Sequence, residues 1–282
     1  MVTRSDYTEQ ENRACFSVLL EFMTILGEFR ENIVVVGGSV PPLLLPDAKE
    51  KHIGTHDVDI ALDFKNIRSD TYSRILKILE KKGYYQKSET QPFVFFRDII
   101  DEKGKKITIE LNFLAGEYGG AGKSHRHQVI QDVKARKARG CDLVFESAIK
   151  VSISGQLPGG ADNEVNIKIA SIGSFLVTKG MALWESGKEK HAYDIYYCCK
   201  YFPGGPETLA EAIAPISNMK LAEEGLSKIL SKFATINSIG PNWVADFLEV
   251  TDIEERDRIK REAFELVNSL MEKLGIASFD EK

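Results

Sequence analysis

The sequence predicts an α+β protein, with a mixed β-sheet region up to about residue 170 and helices alone from 171 to 282. Three observations predict it. Short β-branched or alternating segments recur at 32–36, 57–64, 93–99 and 106–114, with helically spaced segments between them. A further strand pair is expected within 149–170, around the turn Pro158-Gly159-Gly160. From Ser171 onward the apolar spacing is helical almost without interruption. The expected division is therefore 1–170 and 171–282.

In chain order, Phe16, Leu19, Leu20, Phe22, Met23, Ile25 and Leu26 give residues 6–29 one apolar helical face. Ile33–Val36 is a β-branched run that reads as a buried strand. It stops at Gly37-Gly38-Ser39, and a short helix is expected over 41–45. Residues 46–56 are a polar loop. DVDIALDF at 57–64 alternates as a strand does. A basic amphipathic helix is expected over 68–82, ended by Gly83. Strands at 93–99 and 106–114 are joined by a turn at Asp101–Gly104.

Composition excludes several classes. The chain has 282 residues, is 43% hydrophobic and 28% charged, and carries a net charge of −5. Its pI of about 5.7 argues against nucleic-acid binding through overall charge, but not through one local basic patch. The four cysteines, Cys15, Cys141, Cys198 and Cys199, show neither CxxC nor zinc spacing, and a reducing cytoplasm suits them. The polar start MVTRSDYTEQEN is unlike a secretory leader, and no apolar run approaches the ~20 residues of a membrane span.

Two features carry chemistry. Asp57 and Asp59 lie two apart on one strand, so their carboxylates share a face and repel. A hard divalent cation relieves such a pair, because Mg²⁺ takes one or two carboxylates together with substrate phosphates. Asp63 shares their parity but is read as the solvated strand end. Glu110, between Ile109 and Leu111, is either an edge-strand residue facing water or a third acid. Pairing of its strand beside 57–64 would bring it to the aspartates, and three acids suffice for two metal ions. Gly37-Gly38-Ser39 is either a plain turn with a serine cap or a phosphate cradle of backbone N–H groups.

A strand ending in GGS, then DxD on the next strand, then an acid on a later one, resembles the nucleotidyltransferase superfamily with its polymerase-β-like palm. The matching residues are Gly38 and Ser39, Asp57 and Asp59, and Glu110, covering about 30–115. That resemblance implies a palm with a mixed sheet in 1–170. It implies that Gly37, Gly38 and Ser39 hold the triphosphate of an NTP, and that Asp57, Asp59 and Glu110 hold Mg²⁺ (or Mn²⁺).

Farther on, Lys179 lies among Leu176, Ala182 and Leu183, and Asp194 among Tyr193, Ile195 and Tyr196. Charges on such faces have a partner or a ligand, an ordinary Lys–Asp pair being the simplest case. The segment resembles the AbiEii-like toxin family of abortive-infection nucleotidyltransferases, in which a lysine helix is followed by KDxxD. Here the second motif reads Lys190-His191-Ala192-Tyr193-Asp194, so His191 replaces the first aspartate. The 17 residues between Ser39 and Asp57 also exceed that family's usual gap. The resemblance implies that Lys179 contacts the triphosphate and that Asp194 supports or activates. It also implies a tRNA or other RNA acceptor and a cognate antitoxin.

Lys123, His125, Arg126, His127, Lys134, Arg136, Lys137 and Arg139 fall within 17 residues of an otherwise acidic chain. A solvated helix face is the default reading of such a run. Following directly on the Glu110 strand, it is also a candidate RNA footprint, with Lys123, Arg126, Arg136, Lys137 and Arg139 as its cations. Two other functions fit the same palm: modification of a small antibiotic, and nucleotide binding without catalysis.

Overall fold

The computed structural model describes residues 2–63, 69–88, 91–101, 103–116, 127–130 and 133–278. The chain forms two compact units. One comprises Thr8–Val40 and Gly54–Ala170; the other comprises Met1–Tyr7, Pro41–Ile53 and Ser171–Lys282.

The first unit is built on a mixed sheet. Helix α1 (Glu9–Leu26) starts at Thr8, whose side chain accepts from the Glu11 N–H while Glu11 reaches back to the Thr8 backbone. Its apolar face, including Val18, Leu19, Phe22 and Met23, is buried as its periodicity predicts. Strand β1 (Ile33–Val36) is buried at all four positions. After it, Gly37-Gly38-Ser39 makes a single 3-10 turn leading into the short helix α2 (Val40–Leu44). Strand β2 (Asp57–Leu62) pairs antiparallel with β1. Asp63 follows its last residue, half-buried, with its N–H bonded to the Asn32 carbonyl.

Helix α3 (Ser69–Lys81) stops where Gly83 turns into the left-handed region at φ 81°. The periodicity does not reveal the two-residue strand β3 (Tyr84–Tyr85) that follows. Strands β4 (Val94–Ile100) and β5 (Lys106–Ala115) form a hairpin, and β5 pairs parallel with β2. Its turn is held by Asp101, whose Oδ1 accepts from the N–H groups of Lys103 and Lys105.

The basic stretch is a hairpin in its described part. Strands β6 (His127–Ile130) and β7 (Val133–Lys137) pair antiparallel, and β7 joins β5 at Leu114 and Ala115. The helix-face reading is thus replaced by strand pairing. Val129, Ile130 and Val133 at the hairpin's end are β-branched, which favours extended chain. A short helix α4 (Cys141–Glu146) follows. The long antiparallel pair β8 (Ile149–Gln156) and β9 (Asp162–Ile169) then adds to the far side of β1. The sheet runs β3-β4-β5-β2-β1-β9-β8, with β2 at its centre.

The second unit is helical: α5 (Ile172–Ser186), α6 (Glu189–Tyr201), α7 (Gly205–Ser217), α8 (Lys220–Lys232), α9 (Ile239–Phe247) and α10 (Ile253–Lys273). Ser171 caps α5 by accepting from the Ser174 N–H, and Gly187 ends it at φ 60°. Helices α5 and α8 touch where Gly180 and Gly225 leave room. A Cβ on Gly225 would lie 2.7 Å from the Val177 carbonyl oxygen, and one on Gly180 would strike the Gly225 backbone. All four cysteines are buried and free. No helix among the described residues is long and apolar enough to cross a membrane.

Replacing Gly225 by valine forces two backbones apart, so the expected loss is about 2–3 kcal/mol or more. Urea unfolding followed by circular dichroism measures it. An unchanged midpoint would show that the α5–α8 crossing is not this close.

Candidate active site

The sheet unit gathers its acids by register. Asp57 pairs with Glu110 across β2 and β5, and Asp59 pairs with Asn112 on the same strands. Asp57, Asp59, Glu110 and Asn112 are all half-buried, while Val58, Ile60, Leu111 and Phe113 are buried. Alternation on two adjacent strands thus puts three acids and an amide on one face of the sheet centre.

Neighbouring groups fix the aspartates. The Thr55 hydroxyl donates to Asp57 Oδ1 at 2.6 Å, and Asn112 Nδ2 donates to Asp59 Oδ1 at 3.2 Å. Asp59 also pairs with Val36, the last residue of β1, so the glycine turn begins beside it. Gly37 has φ 68°, and a Cβ there would collide with the Asp59 carboxylate. A Cβ on Gly38 would lie 2.6 Å from Thr55. Gly37 is therefore required by the Asp59 carboxylate and Gly38 by Thr55. Ser39 is buried, and its hydroxyl makes no hydrogen bond among the described residues.

Two thiols feel this negative charge. Cys15 donates to the Asp57 carbonyl at 3.2 Å. Burial raises its pKa, and the charges of Asp57 and Asp59 raise it further. Burial, Asp142 and Asp59 together push the Cys141 thiol up to about 12. Both are protonated at neutral pH and leave the carboxylates as the reactive groups of this face.

Asp57 and Asp59 suit the mode in which Mg²⁺ takes two carboxylates and completes its shell with phosphate oxygens. Among the described residues, no three His, Cys, Asp or Glu side chains converge into a cage made by protein alone. Glu110 is in register with Asp57 but does not complete such a cage.

In the helical unit, Asp194 is wholly buried. Lys190 Nζ donates to its Oδ1 at 2.8 Å, and His52 Nε2 lies 2.9 Å from the same oxygen. Lys179 Nζ lies 2.7 Å from Oδ2, as a charge contact without hydrogen-bond alignment. Burial raises the Asp194 pKa, but the two lysines and the imidazole outweigh it and hold the carboxyl well below its usual range. Burial and the Lys190 charge push His52 down to about 4, so it is neutral and donates its Nε2 proton. Asp194 therefore anchors Lys179 rather than facing solvent as a base. His191, in the divergent motif position, places Nε2 3.0 Å from the Ser186 hydroxyl, and burial pushes it down to about 3.

Arg136 is exposed and pairs with Leu114, four residues along β5 from Glu110. Lys137 and Arg139 are half-buried. Lys123 and Arg126 lie outside the described residues. The residues that sequence reasoning missed are Thr55, Asn112, His52 and Lys190. Asn112 had a signal, because Glu110 and Asn112 repeat the two-residue spacing of Asp57 and Asp59.

No family model matches the chain, and no curated protein matches it. In structure it is similar to an antigenic nucleotidyltransferase-like protein from Paracoccidioides brasiliensis. The two are 14% identical with a TM-score of 0.43, and the match covers 83% of this chain and 93% of that one.

The depressed His52 pKa has a consequence for stability. Unfolded histidine binds a proton near pH 6.5, whereas folded His52 resists until about 4. Its contribution is complete above pH 6.5 and is lost as pH falls from 6.5 to 4, with His191 acting in the same direction. Urea unfolding free energies should drop across that window by up to about 1.4 kcal/mol per pH unit for each histidine. His52→Gln should flatten the slope by one proton; an unaltered slope would place the titration elsewhere.

Proposed function

We propose that the chain is a nucleotidyltransferase that moves a nucleoside monophosphate from an NTP to an acceptor and releases pyrophosphate. One observation carries the reading. The two aspartates share a face of the central strand, beside a glycine turn fitted to Asp59 and Thr55 and a serine whose hydroxyl makes no hydrogen bond among the described residues. A structural protein gains nothing from that repulsion, whereas a cation with a polyphosphate relieves it.

Asp57 and Asp59 would hold Mg²⁺, which when bound supplies positive charge against the triphosphate. The Ser39 hydroxyl and the turn N–H groups bind phosphate oxygens. Glu110 accepts the proton of the acceptor hydroxyl or joins a second metal position. Thr55 and Asn112 keep the aspartates aimed. The role of Lys179, neutralising charge on the triphosphate, is proposed from the AbiEii-like resemblance alone. Within the helical unit its charge is met by Asp194. The same resemblance supplies an RNA acceptor, with tRNA foremost, a toxin role and a cognate antitoxin. Arg136, Lys137 and Arg139 are the described cations offered to the RNA backbone.

The first experiment is label transfer from each α-labelled NTP, with Mg²⁺, to total tRNA, to the protein itself and to an aminoglycoside panel. Label on tRNA is expected. Label on a drug or on the protein would overturn the RNA acceptor, and no label in any arm would overturn transfer. Asp59→Ala should lower turnover by at least about 10²–10³-fold while leaving the thermal midpoint unchanged or higher, since it removes a repulsion. Retained turnover would refute the metal assignment. Arg136→Ala with Arg139→Ala should reduce the slope of log affinity against log salt by about 1.4, two phosphates at ~0.7 each on single strands.

A further inference from the structure

The helical unit contains a cavity of about 220 Å³. Residues 50–53, helix α6, the start of α10, residues 248–250 and Arg4 line it, all from this one unit. Its chemistry is uneven. Tyr193, Tyr197 and Tyr201 stand four residues apart along α6, with neighbouring ring centroids 5.9 and 4.7 Å apart. They make one wall aromatic.

Two of the lining cations are committed. Lys200 pairs with Glu262 at 2.9 Å, and Arg258 pairs with Glu255 through two nitrogens. Two are not. Arg4 and Lys51 are exposed and make no side-chain hydrogen bond or ion pair among the described residues. The same lining carries a half-used hydroxyl. Tyr193 is buried and its oxygen accepts from the Ile53 N–H at 3.3 Å, but its own proton has no acceptor among the described residues. The Arg4 charge is felt at this phenol. A buried donor left over costs free energy unless something accepts from it.

We propose that this cavity binds a nucleoside phosphate, with the base against the tyrosine wall and the phosphate between Arg4, Lys51 and the Tyr193 hydroxyl. Aromatic stacking suits any base, and two unpaired cations with a neutral donor suit an anionic oxygen cluster. With Lys200 and Arg258 held by Glu262 and Glu255, the lining leaves two cations, Arg4 and Lys51, against one acid, Glu50. The site needs no metal and does not depend on the transfer reading. Its ligand is either a free mononucleotide or the terminal nucleotide of an RNA.

The test is equilibrium binding of AMP to the full-length protein in EDTA, alongside adenosine, inorganic phosphate and a 5′-phosphorylated tetraribonucleotide. AMP should bind, and more tightly than adenosine or phosphate. Arg4→Ala with Lys51→Ala should weaken it about tenfold or more. Asp57→Asn with Asp59→Asn should leave it unchanged. Tighter binding of the tetranucleotide would assign the site to an RNA end; equal binding would assign it to free nucleotide. The proposal is overturned by AMP binding that survives the Arg4/Lys51 change, by binding lost in the aspartate variant, or by none up to about 10 mM. Adenosine binding as tightly as AMP would overturn the phosphate assignment. Tyr193→Phe tests the hydroxyl separately, since it keeps the ring and should still weaken AMP.

Discussion

The constraint around which the sheet unit is arranged is the repulsion between two carboxylates on its central strand. Two residues of strand separate Asp57 and Asp59 by about 6.6 Å, and at an effective dielectric near 20 that spacing costs about 2–3 kcal/mol. Their surroundings answer this cost in kind. A hydroxyl and an amide each donate to one aspartate oxygen. The adjoining turn lacks side chains where one would meet the Asp59 carboxylate or Thr55. The nearby thiols stay protonated, so no further negative charge is added. The hydroxyl and the amide are neutral donors.

The helical unit solves the converse problem. Asp194 is a single carboxylate without solvent, and it is matched by two ammonium groups and a neutral imidazole. The cluster takes charged groups out of water. Burying it is costly unless each partner is held in place, and the tyrosines of α6 do part of that holding. His52 packs against Tyr193 and Tyr197, with ring centroids at 5.4 and 4.8 Å. The same helix face that steadies the imidazole also lines the tyrosine cavity, so the ion cluster and the cavity share their walls.

Most elements were legible in the sequence because their signals are local. The alternation of DVDIALDF, the β-branched IVVV run and the glycines closing helices each act over a few residues. The pairing of Glu110 with Asp57 was legible only as a condition, since periodicity gives a strand's faces but not its neighbours. The β6–β7 hairpin was missed because its charge suggested a solvated helix. The two-residue strand Tyr84–Tyr85 is too short to show a period. His52 was invisible for a different reason: it sits in a polar loop, and its partner is 142 residues away. Lys190 lay inside the quoted motif, but its bond to Asp194 follows from helical spacing of four only once Asp194 is known to be buried.

That long separation has a meaning for synthesis. The ribosome makes His52 early and Asp194 late, and at about 5–20 residues per second the interval is roughly 7–28 s. Through that time the segment 41–53 has been made, but the helices it will join have not all been. Strand β9 is complete before α5 begins, so the sheet unit has all of its strands while the helical unit still has only its two short N-terminal pieces. A nascent chain therefore carries every strand of the sheet unit, and a histidine, before the carboxylate that meets the histidine is made.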